Sequence, residues 1–122
     1  MKPAVVLTLD TSSATTLSVS LKTPKGTYEK NEETGNKRSL RLLPLCTELL
    51  YEHRLSWADL TDICVVNKEG SITGLRVGFA VANALGFLLG IPVNGMKAIE
   101  NIHPQYGTVT YLDTLQTSPP KP

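Results

Sequence analysis

At 122 residues with 41% hydrophobic side chains, the chain is long enough for one core-bearing domain and too short for two full lobes. Twelve Lys and Arg against eleven Asp and Glu leave a net charge of +1 with no basic cluster, which excludes a nucleic-acid footprint of the chain's own. Two cysteines, Cys46 and Cys64, without a CxxC and with only two distant histidines, His53 and His103, argue against a metal site or a disulfide and for reduced, packed thiols.

The N-terminus enters a β-prone run without the basic region, apolar run and cleavage site of a secretory leader. The longest apolar stretch, residues 77–93, is interrupted by Asn83, several glycines and Pro92, which does not suit a membrane span. A cytoplasmic protein with no membrane partner is expected.

Residues 4–9 form a continuous β-prone run that ends at Asp10-Thr11-Ser12-Ser13, four small polar residues suited to a tight turn. Residues 16–21 alternate strictly between apolar and polar, the pattern of a half-buried strand, and the short connection demands an antiparallel hairpin. Pro24 and Gly26 mark a turn, and residues 27–33 follow as a third, more exposed strand. Leu40, Leu42, Leu43, Leu45, Cys46, Leu49 and Leu50 cluster at helical spacing within residues 38–53, over an apolar arc wider than one sheet contact needs. Pro44 lies early in this helix and marks a kink or a late first turn. Ser56 to Asp59 reads as a capped turn, residues 61–66 as a buried strand, and residues 91–94 as a short last strand. A short helix over 96–102 and an edge strand over 108–112 are weaker patterns, and 117–122 has the composition of a disordered tail.

The most informative segment is the helix over residues 73–90. Gly74, Gly78, Ala82, Gly86 and Gly90 recur every four residues and form a stripe almost without side-chain bulk. Each glycine inside a helix costs about 0.5–1 kcal/mol relative to alanine, so a closely packed backbone must offset the loss. That backbone belongs either to the chain's own sheet or to a partner helix. Val77, Val81, Leu85 and Leu88 offer a separate bulky ridge for the sheet, which would leave the small face free for a partner.

The order β-β-β-α-β-α-β describes an α/β layer on a mixed sheet. With Asp10-Thr11-Ser12 closing the first strand, it resembles half of an actin-like ATPase (ribonuclease H-like) domain, a single lobe over residues 1–106 with 107–122 as edge strand and tail. Leu9-Asp10-Thr11-Ser12, Ser39-Leu40-Arg41-Leu42-Leu43-Pro44 and Gly70-Ser71-Ile72-Thr73-Gly74-Leu75-Arg76-Val77-Gly78 are similar to three signature stretches of the TsaB (YeaZ) family. Residues 80–93 continue the likeness in the family's order.

That resemblance implies a non-catalytic part in making threonylcarbamoyladenosine in tRNA, beside a TsaD-like subunit that performs the transfer. It implies docking through helices 38–53 and 73–90, with Leu42, Leu45, Cys46, Leu49, Gly74, Arg76, Gly78, Ala82 and Gly86 as the interface. The same helices would serve a homodimer. A TsaE-like ATPase is a further implied partner, tRNA is reached only through the complex, and no cofactor is expected on this chain alone, ATP and magnesium belonging to the assembled complex. Asp10, Thr11, Ser12, Gly70, Ser71 and Thr73 would form a vestigial phosphate loop. In active relatives of the superfamily the Asp positions magnesium or phosphate; here its simpler role is to accept from the amides of Ser12 and Ser13. Ser71 and Thr73 cap the second helix in the same simpler reading.

Two departures from the family stand out. Asn67-Lys68-Glu69 replaces a Gly- and Pro-rich run, and Lys37-Arg38 stands where a histidine is common. The family's second lobe is also absent, so the chain is expected to be a minimal member or an N-terminal fragment. The alternative function is a nucleotide-binding half-domain completed across an oligomer.

Overall fold

The computed structural model describes residues 3–68, 70 and 72–96. Strands β1 (Val6–Asp10), β2 (Thr16–Thr23) and β3 (Gly26–Glu33) precede α1 (Arg38–Glu52). A single 3₁₀ turn at Trp57–Asp59 leads to β4 (Asp62–Val65), and α2 (Ile72–Leu89) follows. The sheet order is β3-β2-β1-β4, with β1–β2 and β2–β3 antiparallel and β1–β4 parallel.

The alternation of the strands decides where the core lies. Leu7 and Leu9 of β1, Leu17, Val19 and Leu21 of β2, and Ile63 and Val65 of β4 are buried in one cluster with residues of both helices. Both helices therefore cover that one face, α1 over β2 and β3, α2 over β4 and β1, and they touch each other. The opposite face carries Thr8, Asp10, Thr16, Ser18, Ser20 and Cys64, all half-buried. In β3 the helix-facing positions hold Tyr28, Lys30 and Glu32 in place of aliphatics. They reach α1 by a Tyr28–His53 ring stack at 3.8 Å, a Lys30–Glu52 ion pair at 2.7 Å, and a two-pronged Arg41–Glu32 contact at 2.5 and 2.8 Å. The edge strand is thus held by polar tips above apolar stems.

Helix α1 runs through Pro44 without a break. It closes with Arg54 in the left-handed region (φ 59°), the Arg54 and Leu55 amides turning back onto the Tyr51 and Leu50 carbonyls. Gly90 (φ 69°) ends α2 in the same way, with the Ile91 amide on the Gly86 carbonyl.

Two expectations change. The strand expected over 91–94 is reduced to a bridge between Val93 and Ile63. Pro92 has no donor, so it contributes only its carbonyl, to the Ile63 amide at 3.0 Å. Asn94 then turns away at φ 51° and its side-chain oxygen takes the Val65 amide at 2.8 Å, substituting for the next ladder residue. The second change concerns the small-residue stripe, which is turned inward. Gly74, Gly78, Ala82 and Gly86 are all buried. A Cβ on Gly74 would overlap the Thr11 carbonyl, and one on Gly78 would meet the Thr11 hydroxyl and Val65. Of the bulky ridge, Val77, Val81 and Leu85 pack beside the core, whereas Leu88 is 76% exposed. The helix over 96–102, the strand over 108–112, His103 and the tail lie outside the described residues.

Since backbone rather than a flexible side chain meets the Gly74 position, Gly74→Ala must push α2 off the β1–β2 turn. We expect a loss of about 1–3 kcal/mol in urea unfolding of the isolated chain, comparable to overpacking a core.

Candidate functional site: the β1–β2 turn and the outer helix faces

The residues expected as a phosphate loop come together in part. Asp10 ends β1, and its Oδ1 accepts from the Ser12 amide at 3.1 Å and the Ser12 hydroxyl at 2.6 Å. The Ser13 hydroxyl instead accepts from the Thr15 and Thr16 amides, closing the turn into β2. Thr11 is fully buried beneath α2 and donates its hydroxyl to the Gly74 carbonyl. Gly70 lies so near the Ser12 backbone that a Cβ there would overlap it. Thr73 is exposed in the first turn of α2, and Ser71 lies outside the described residues.

Two cations complete the turn, and neither role leaves a signal in the residue pattern. Arg38 is 9% exposed at the start of α1 and donates to the Ser13 carbonyl at 2.5 Å, with its guanidinium beside Gly74. Lys68 follows β4 and places its ammonium 3.4 Å from Asp10 Oδ2. An open cleft of about 540 Å³ results, lined by Asp10, Ser12, Ser13, Ala14, Thr16, Ser18, Lys68 and Gly70. Partial burial pushes the Asp10 carboxyl up, but the Ser12 hydroxyl and amide and then Lys68 outweigh it and hold the group below the usual carboxylate range.

The resemblance to actin-like ATPases raises the question of a divalent ion at Asp10, and the donor set does not suit one. Among the described residues Asp10 is the only carboxylate lining the cleft, and both of its oxygens already face protein donors. Among the described residues no three His, Cys, Asp or Glu side chains gather to hold a metal. Magnesium demands several oxygen ligands in near-octahedral geometry, which one engaged carboxylate and neutral hydroxyls do not supply.

The helices carry the other candidate surface, on faces different from those expected. Leu42, Leu45, Cys46 and Leu49 are buried against the sheet, as are Gly74, Gly78, Ala82 and Gly86, so the chain itself covers eight of the nine expected interface positions; Arg76 is exposed. Facing outward are Leu40 (70% exposed), Leu43 and Tyr51 (82%) on α1, and Ile72, Phe87 (71%) and Leu88 on α2. Leu40, Pro44, Thr47 and Tyr51 follow one exposed helical stripe, and Arg76, Ala80 and Phe87 are exposed on α2. The breadth of the apolar arc on α1 was the available signal for an outer face, because the sheet needs only one side of it.

A family model described as TsaD: tRNA N6-adenosine threonylcarbamoyltransferase matches residues 30–107. The tRNA threonylcarbamoyladenosine biosynthesis protein TsaB of Bacillus subtilis is 29% identical over 97 residues, covering 80% of this chain and 42% of the relative. The protein of the same name from Buchnera aphidicola (subsp. Schizaphis graminum) is 25% identical over 95 residues, covering 78% and 45%. The solved structure of YeaZ from Pseudomonas aeruginosa superposes with a TM-score of 0.70 at 30% identity, covering 74% of this chain and 42% of that one. The chain spans less than half the length of these relatives.

Two measurements check the local chemistry. Because Asp10 is held below its ordinary pKa, it contributes stability above that ordinary value, and the contribution disappears as pH falls through the lowered one. Wild type should therefore lose more stability than Asp10→Asn as urea titrations move from pH 5 to pH 3. Burial pushes the Cys46 thiol up to about 12, so it should stay unreactive toward a thiol reagent at pH 8 until the chain unfolds.

Proposed function

The chain belongs to the family of the tRNA N6-adenosine threonylcarbamoyltransferase TsaD, on its TsaB (YeaZ) side, and on that premise we propose that it serves threonylcarbamoyladenosine synthesis as a docking subunit. The observation that carries this reading is the run of large apolar side chains exposed on two touching helices. Leu40, Leu43 and Tyr51 on α1, with Ile72, Phe87 and Leu88 on α2, make a surface whose burial would contribute about 25 cal/mol per Å². A TsaD-like subunit bringing a helix face of its own is the partner proposed for it.

The inward stripe has a part in this scheme. By letting α2 sit close on β1 and β4, the small residues free the opposite side of the helix for docking. Arg76 lies on that exposed side and supplies a polar contact at the rim. The chain is then an accessory subunit in the cytoplasm: the partner performs the transfer, and tRNA is reached through the assembled complex, as is any TsaE-like ATPase. ATP and magnesium in that complex would be held away from Asp10.

Light-scattering mass of the chain alone and mixed with a TsaD checks this. We expect a heterocomplex with wild type that Leu40→Glu and Phe87→Glu each abolish, while the melting temperature of either variant stays within about 3 °C of wild type. A complex that survives both substitutions would overturn the assignment. A doubled mass for the chain alone that the same variants dissolve would mark the surface as one of self-pairing. Tight ATP binding by the isolated chain would favour a nucleotide-binding half-domain instead.

A further inference from the structure

The cleft at the β1–β2 turn is not used by a docking function, and its charges are arranged in a particular way. Asp10 gives one oxygen to the Ser12 amide and hydroxyl and the other to the Lys68 ammonium. The rest of the lining among the described residues is neutral: the hydroxyls of Ser13, Thr16 and Ser18, with Ala14 and Gly70. Among the described residues, the one carboxylate lining the cleft is thus met by one ammonium from the same chain. Lys68 does not arrive there by a loose tail. It stands three residues after the end of β4 and two before Gly70, which is seated against the Ser12 backbone. A lysine ammonium is a compact point charge, the side-chain group nearest to a small cation in form.

We propose that Lys68 is the resident cation of this cleft, its ammonium standing at Asp10 in place of a divalent metal. A metal ion approaching Asp10 meets a like charge within a few ångströms and a carboxylate with no oxygen left unengaged. The charge of Asp10 is therefore balanced without a metal, and the balancing group, Lys68, stands where the sequence departs from the family's Gly- and Pro-rich run. The inference rests on the turn alone and stands or falls separately from docking on the helices.

The test is manganese(II) binding to the full chain, followed by electron paramagnetic resonance, with thermal melts confirming that each variant is folded. Wild type and Lys68→Arg, which keeps the charge, should leave manganese free. Lys68→Ala should bind it about tenfold or more tightly than wild type, and Lys68→Ala combined with Asp10→Ala should lose the gain. Binding by wild type as tight as by Lys68→Ala would overturn the proposal. So would a gain that persists without Asp10, or no gain in Lys68→Ala.

Discussion

The close approach of α2 to the β1–β2 turn is the contact on which the rest of the arrangement depends. Gly74 and Gly78 bring the helix backbone against Thr11, whose buried hydroxyl donates to the Gly74 carbonyl. A helix with ordinary side chains at those positions would stand farther from β1 and β4, and the core cluster around Leu9, Val65, Phe79 and Ala82 would open. The helical cost of the glycines is offset by this packing, and the same contact fixes which side of α2 looks outward.

Two polar structures meet at the turn. One is internal: Arg38, buried at the head of α1, holds the Ser13 carbonyl and lies beside Gly74, so both helix starts are tied to the same loop. The other faces the cleft, where Asp10, Ser12 and Lys68 close on one another. The proposed helix-face docking and the proposed metal-independent cleft both build on one anchored loop. They occupy different surfaces, because the helices lie on one face of the sheet, whereas Thr16 and Ser18, which line the cleft, belong to the other.

Much of the fold was legible in the residues. Strict alternation placed β2, the continuous run placed β1, and the leucine spacing placed α1 within a residue of its observed end. The last strand was not legible, because its apolar content suits a strand while Pro92 and Asn94 prevent a ladder by missing a donor and by turning at positive φ. The stripe on α2 was visible but its direction was not. A face without side chains suits a partner helix or the chain's own loop equally well, and only the position of the Thr11 carbonyl decides. Asp10, Thr11, Ser12 and Gly70 were expected together and are together. The roles of Lys68 and Arg38 depend on contacts across the fold and leave no periodic trace.

The central claim is that the outer faces of α1 and α2, and not the striped inner face, meet the partner. Methyl cross-saturation from a protonated TsaD-like subunit into a deuterated, methyl-labelled chain addresses it directly. The account predicts loss of intensity at Leu40, Leu43, Ile72 and Leu88, with Leu42, Leu45, Leu49 and Ala82 unaffected. Saturation centred on Ala14 at the cleft, with the outer helix methyls silent, would contradict it.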